Sequence, residues 1–314
     1  MWSRRSPTII FHDCIAVQYF LGVYTDMSNF KIVTDSCCDF TDKMYQEYDV
    51  ACAPLSVLYK GVLHDNFSDD ARLKELYDGI RNGEMPTTSA VNIEGWSRVM
   101  KPALEEGKDV LAICFSGNLS TTYQSAVIAS TELKDEYPDR KIVVVDTLSA
   151  AVGQGLLVMH ACAQRDEGKT IEDVAAWLEA NKLHLCHEIT VDDLFHLKRG
   201  GRVSATTALV GTMLNIKPII MVDDNGKLET VAKCRGRKAA TELLVKKLQE
   251  TGGDYDNSTV FICHGDCPED AQKLKALVLE ICGPREVFIG NLGAVIGSHA
   301  GPGTLALFFL SDKR

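Results

Sequence analysis

Two short segments carry hydroxyl groups at a density that could do chemistry. Thr87-Thr88-Ser89 follows a proline and precedes a helical pattern. Ser116-Gly117-Asn118-Leu119-Ser120-Thr121-Thr122 follows the apolar, strand-like run Val110-Leu111-Ala112-Ile113-Cys114. Where a helix begins, small hydroxyl residues join free backbone N–H groups and the positive end of the helix dipole, which together hold an anion. Neither segment has neighbours of catalytic type, so the pattern reads as holding a group rather than transforming it. Each segment alone also reads as an ordinary N-cap.

A third candidate is Gly297-Ser298-His299-Ala300-Gly301-Pro302-Gly303. Glycines around one histidine let backbone approach a ligand closely, and an imidazole there donates to an anion or changes charge near neutral pH. Two basic clusters break an otherwise acidic chain: Lys198-Arg199-Gly200-Gly201-Arg202 and Lys233-Cys234-Arg235-Gly236-Arg237-Lys238. Their glycines are expected to leave the guanidinium groups accessible for phosphate or an acidic surface. Lys198, Arg199, Arg202, Arg235 and Arg237 are therefore read as a docking face, with solvated charge at helix ends as the plain alternative.

Other chemistry is excluded by spacing. No G-x-x-x-x-G-K-[ST] loop is present, and no G-x-S-x-G elbow. Gly153-Gln154-Gly155 begins like a dinucleotide fingerprint, but Val158 stands at the third glycine position. Cys263-His264-Gly265-Asp266-Cys267 has no second pair at zinc-like spacing, so no metal is expected.

The elements that would position these residues alternate. Strands are expected at 31–36, 110–114 and 142–146, with an extended run from Asp49 to Tyr59. Helices are expected from Ser68 to about Asn82, Asn92 to Glu106, Leu119 to Glu136, Ala150 to Glu167 and Thr170 to Lys182. This order implies a parallel sheet with helices on both faces, and ligands sit beyond the carboxyl ends of such strands. Further on, a strand is expected at 185–190 and a helix from Ser204 to Leu214. Asp224-Asn225-Gly226 between two apolar runs signals a hairpin. Helices at 236–251 and 268–282 then alternate with strands at 259–263 and 285–290. The fold class is α/β, with two α/β domains: residues 31–183 with a mainly parallel sheet, and 184–314 with a mixed or antiparallel sheet.

The 314 residues carry a net charge of −10, which argues against a general nucleic-acid binder. No run of about 20 apolar residues is present to span a membrane. Eleven cysteines, an odd number without a compact framework, point to a reducing cytosol. Residues 1–30 read as an N-terminal extension or start-site artefact. Arg4-Arg5 and the following apolar stretch look like a signal peptide, but His12, Asp13 and Gln18 interrupt it, and translation is expected to begin at Met27.

From Lys31 onward the chain resembles the DegV family of fatty-acid-binding proteins. The matching stretches are Val33-Thr34-Asp35-Ser36, Thr88-Ser89, Leu119-Ser120-Thr121-Thr122-Tyr123-Gln124-Ser125-Ala126 and Val145-Asp146. Leu197-Lys198-Arg199-Gly200-Gly201-Arg202-Val203-Ser204, Ile216-Lys217-Pro218-Ile219 and His299-Ala300-Gly301-Pro302-Gly303 follow in order. The resemblance implies a long-chain fatty acid such as palmitate or oleate between two α/β domains, with no other cofactor. It implies that Thr88 and Ser120 contact the carboxylate and that His299 sits close by, with Ser89 and Thr121 as flanking candidates. Some members are the acyl-binding subunit of a bacterial fatty acid kinase, whose ATP-binding partner phosphorylates the bound acid for phospholipid metabolism. A cytoplasmic protein with transient membrane contact is implied. Family members commonly have Gln-Pro where this chain has Ala90-Val91, and glycine where it has Thr121.

On this reading hydroxyls and helix amides hold the carboxylate without a buried counter-charge, and Arg199 and Arg202 serve the partner, not the lipid. The competing reading is an acyl-transfer or hydrolytic enzyme that uses Ser120 and His299. A third is a carrier for another amphipathic acid.

Overall fold

The computed structural model describes residues 30–204, 215–253, 255, 257–312 and 314. Residues 1–29 of the expected N-terminal extension, and residues 205–214 of the helix expected from Ser204, lie outside them.

The first half opens with β1 (Phe30–Asp35), α1 (Asp42–Glu47), β2 (Val50–Ala53), β3 (Ser56–Tyr59) and β4 (Val62–Asp65). It continues with α2 (Asp70–Arg81), β5 (Thr87–Ser89), α3 (Ile93–Glu105), β6 (Asp109–Cys114) and α4 (Thr122–Glu136). It closes with β7 (Ile142–Asp146), α5 (Ala151–Asp166) and α6 (Ile171–Asn181). Four strands form a parallel sheet in the order β2-β1-β6-β7, and β4-β3-β5 form a small antiparallel sheet beside it. β6 is buried at every position, as a parallel strand covered on both faces must be.

The second half runs β8 (Leu185–Thr190), α7 (Phe195–Arg199), β9 (Ile216–Val222), β10 (Leu228–Arg235), α8 (Arg237–Thr251) and β11 (Thr259–His264). Then come α9 (Pro268–Ile281), β12 (Glu286–Asn291), α10 (Ala294–Ala300) and β13 (Leu305–Leu310). Its six strands form one mixed sheet in the order β10-β9-β8-β13-β11-β12. The molecule is thus α/β, with a parallel sheet and a mixed sheet, each carrying helices. No described helix is long and apolar enough to cross a membrane.

Three local differences from the sequence-based expectation bear on the site. The extended run of residues 49–59 is two strands in different sheets, divided at Pro54-Leu55. Thr87–Ser89 is a strand rather than a helix-start loop, because Asn92 caps the next helix by accepting the Gly95 N–H at 2.8 Å. His299 sits on a helix, α10, and only residues 301–303 beyond it form the glycine turn.

Helix α5 joins the halves. Nearly all of its first two turns are buried, with no polar face to solvent. A Cβ at Gly153 would meet the Phe308 ring at 2.6 Å, and one at Gly155 would meet the Cys38 carbonyl at 2.8 Å. These glycines let the helix press against the mixed sheet on one side and the turn after β1 on the other. One continuous apolar cluster runs through it, from Ile32 and Leu111 through Leu156 and Leu157 to Phe261 and Phe308.

Candidate functional site

Between the two main sheets lies a cavity of about 530 Å³. The mixed sheet contributes apolar wall through Ile189, Ile220, Leu228, Ala306 and Phe308. Phe115 and Ala151 close it from the first half, and Val295 and Ile296 come from α10.

The polar wall is concentrated. Thr88, Ser120, Thr121, Arg202 and His299 all line the cavity. Thr88 Oγ1 lies 2.7 Å from His299 Nε2. Pairing of β5 with β3 sets Val57 opposite Thr88, so the strand, not a helix terminus, aims this hydroxyl. Ser120 Oγ lies 2.8 Å from Thr122 Oγ1 and accepts the Thr122 N–H at 3.2 Å. Thr122 Oγ1 in turn accepts the Val91 N–H at 3.3 Å, and Trp96 Nε1 donates to the Thr122 carbonyl at 2.9 Å. The segments after Pro86 and before α4 are therefore tied together. Ser89, the flanking candidate, is exposed beside Ser56 and does not line the cavity, since strand alternation turns it away from Thr88.

The helix bearing His299 is held at its start by the first half. Val295 N–H donates to Asn66 Oδ1 at 2.9 Å, Ala294 N–H to the Phe67 carbonyl at 3.0 Å, and Tyr77 hydroxyl to the Leu292 carbonyl at 2.8 Å. Burial, then the cations of Arg202 and Arg199, push the His299 imidazole down to about 4, so it is neutral at physiological pH. The Thr88 contact therefore joins a hydroxyl to a neutral ring.

The basic loop behaves differently from its sequence reading. Gly200 does not serve to free its neighbours. A Cβ there would come within 2.2 Å of His299 Nδ1, so only glycine lets this loop lie against the ring. Arg199 donates to the Ser298 carbonyl at 2.9 Å. Arg202 Nε donates to the Leu119 carbonyl at 3.1 Å, and its Nη1 to the Gly200 carbonyl. A guanidinium thus stands in the cavity wall, which corrects the expectation of a site without a buried counter-charge. Lys198 and Arg235 are exposed. Arg237 pairs with Asp192 at 3.2 Å and Asp270 at 2.9 Å, and is engaged within the fold.

The glycines after His299 also have other neighbours than a ligand. A Cβ at Gly301 would strike the His196 ring, and one at Gly303 the Asp192 carboxylate. The hairpin turn at 223–226 docks on the second hydroxyl loop: Ser116 Oγ donates to the Gly226 carbonyl at 2.8 Å, and Asn118 Nδ2 to the Asn225 carbonyl at 2.6 Å.

Sequence reasoning did not single out Arg202 or His187 as cavity residues, nor Asn66 as the clasp of α10. Arg202 lay in a cluster that reads equally well as surface charge. The alternation Leu185, His187, Ile189 places His187 on the inner face, but a lone histidine in a strand gives no sign of what it faces.

His299 Nε2 is bonded to Thr88 and Ser120 Oγ to Thr122, and no hydrogen bond couples Ser120 to His299. Among the described residues no cluster of three or more His, Cys, Asp or Glu side chains is placed to hold a metal ion.

Residues 29–312 match the family description "Uncharacterised protein, DegV family". A DegV domain-containing protein of Clostridium perfringens is 40% identical over 289 residues, covering 92% of this chain and 99% of that one. Among solved structures, a DegV family protein from Thermus thermophilus described for its fatty acid binding is 32% identical. It superposes with a TM-score of 0.81 over 90% of this chain and 99% of its own. DegV of Bacillus subtilis, described as a fatty acid binding protein, is 27% identical with a TM-score of 0.76, over 91% and 100% of the two chains.

Proposed function

The chain belongs to the DegV family, and on that premise we propose that its cavity binds a long-chain fatty acid, such as palmitate or oleate, with the carboxylate at Thr88, Ser120 and His299. The observation that carries this reading is the division of one cavity into apolar walls and a compact cluster of hydroxyl, imidazole and guanidinium groups. Its volume lies within the range of small-molecule sites, about 300–1,000 Å³. Each buried methylene contributes about 0.8 kcal/mol of gross affinity before ordering costs. A carboxylate entering the cavity loses water and needs hydrogen bonds in return. Thr88 and Ser120 hydroxyls and the neutral His299 supply them, and Arg202 supplies opposite charge from the wall. Thr121 is a further contact at the rim.

We propose further that the protein presents the fatty acid to a separate ATP-binding kinase subunit. There a carboxylate oxygen attacks the γ-phosphorus of ATP, the bond to ADP breaks, and an acyl phosphate forms. The resemblance of the sequence motifs to fatty acid kinase subunits supports this reading, as does the absence of a nucleotide-binding loop of Walker type. Arg199, bonded to the Ser298 carbonyl next to His299, and the exposed Lys198 and Arg235 are the candidate contacts for that partner. The work would be cytoplasmic, with lipid exchanged at a membrane surface.

The test is native mass spectrometry of the purified protein, followed by denaturing lipid extraction. A bound long-chain fatty acid is expected, and its loss in a folded Thr88→Ala/Ser120→Ala double variant. An empty protein that also rejects added palmitate and oleate would overturn the binding reading. Bound lipid that never becomes acyl phosphate with an ATP-binding fatty acid kinase subunit and ATP would overturn the presenting role alone.

A further inference from the structure

Ser120 lines the cavity, and the hydroxyl beside it belongs to Thr122, which is completely buried and does not. The two oxygens stand 2.8 Å apart with one hydrogen between them, and either residue could donate it. The surroundings of Thr122 decide which one does. Its Oγ1 already accepts the Val91 N–H at 3.3 Å, and Ser120 Oγ is the one acceptor paired with it among the described residues. A Thr122 hydrogen turned away from Ser120 would be buried without a partner, which costs more than one hydrogen bond returns. The Ser120 hydrogen, in contrast, can turn into the cavity. Thr122 is therefore the donor and Ser120 the acceptor.

Ser120 Oγ also accepts the Thr122 N–H at 3.2 Å. A serine hydroxyl has two acceptor positions and one hydrogen. Thr122 fills both positions, so the hydrogen is all that remains for a ligand. The backbone on either side is fixed: Trp96 Nε1 donates to the Thr122 carbonyl at 2.9 Å, and Ser120 N–H to the Ser116 carbonyl at 3.1 Å.

We infer that Thr122 is a positioning residue that makes Ser120 an obligate donor toward the cavity, and so selects head groups that accept hydrogen bonds without offering one. A carboxylate only accepts, whereas a long-chain alcohol brings a hydrogen that Ser120 cannot take. This rests on the fatty-acid reading of the same cavity and names a source of its head-group preference. Discrimination of this kind arises because a fixed donor leaves the wrong ligand's own donor unpaired.

The experiment uses the full-length, delipidated protein, with palmitate and 1-hexadecanol competing against a fluorescent fatty acid. It covers wild type, Thr122→Val, Thr122→Ser, Ser120→Ala and the Thr122→Val/Ser120→Ala double variant. Thr122→Val keeps the shape but frees an acceptor position on Ser120 and the orientation of its hydrogen. Palmitate affinity is expected to fall about tenfold while 1-hexadecanol affinity holds, and Thr122→Ser should restore palmitate. In the Ser120→Ala background Thr122→Val should have no further effect on palmitate, because it acts through Ser120 alone. Equal losses of palmitate and 1-hexadecanol, or the same loss of palmitate with and without Ser120, would overturn the inference and leave the fatty-acid reading intact. Thr122→Cys, a weaker donor, carries the same cycle if Thr122→Val does not fold. Wild type that rejects palmitate would overturn the fatty-acid reading itself, and this inference with it.

Discussion

Thr88 and His299 stand 211 positions apart in sequence and 2.7 Å apart in space, and their hydrogen bond ties the small sheet to α10. The strand that carries Thr88 belongs to the first half of the chain, and the helix that carries His299 to the last turn before β13. Their contact sets the polar wall of the cavity.

Thr88→Val keeps shape and removes the hydroxyl, leaving His299 Nε2 without its partner. Fatty acid affinity is expected to fall about tenfold or more, and stability by about 1–3 kcal/mol. Thr88→Ser should retain most of both. Titration calorimetry and urea unfolding of the two variants decide it, and a Thr88→Val protein with unchanged affinity would remove Thr88 from the site.

Arg202 and Arg199 should now separate. Arg202 lines the cavity, so Arg202→Ala is expected to weaken fatty acid binding about tenfold. Arg199 is bonded to the Ser298 carbonyl and does not line the cavity, so Arg199→Ala should spare lipid affinity. Equal affinities for both variants would return Arg202 to the surface role that its sequence cluster first implied.

His299 gives the lipid-free protein a pH dependence with a definite sign. Its folded value, about 4, lies below the ordinary 6.5, so the unfolded chain takes up the proton first as pH falls. Stability from this residue is whole above pH 6.5 and drains away between there and pH 4, by at most about 3 kcal/mol. A His299→Gln variant lacks this loss. Unfolding free energies at pH 7 and pH 4.5 should therefore shift in favour of the variant at the lower pH, and parallel curves would refute the assignment.

Gly226 serves the turn that docks on Ser116. Its φ is 76°, and a Cβ there would lie 2.3 Å from Ser116 Oγ. Gly61 has almost the same φ, 77°, but open space around it. Gly61→Ala should show the backbone strain alone, about 1–3 kcal/mol. Gly226→Ala should cost more and also loosen fatty acid binding, because the loop it displaces leads to Ser120. Similar losses in both would show that the docking contact contributes nothing.

Local signals carried the elements they could reach. The all-apolar run ending at Cys114, the helix opening at Thr170 and the Asp-Asn-Gly turn each mark structure by themselves, and each stands where it was read. β13 was not anticipated, because Leu-Ala-Leu-Phe-Phe-Leu has no alternation to distinguish a central strand from a buried helix. Thr88, Ser120 and His299, which all line the cavity, were singled out mainly through motif resemblance. Their meeting was not legible, since nothing local in Thr88 names His299 as its partner. Glycines misled in a consistent way. At 200, 301 and 303 they admit neighbouring side chains of the same protein, and sequence cannot tell that need from close approach to a ligand.

Helix α5 has a consequence for how the proposed lipid would get in. Proteins that swallow ligands by swinging two lobes apart keep a thin, wet seam between them. Here the seam is a helix with apolar side chains committed to both sheets, so prying the halves apart would tear open the core itself. On the proposed function, a lipid would therefore have to enter with the two sheets still held together by this helix.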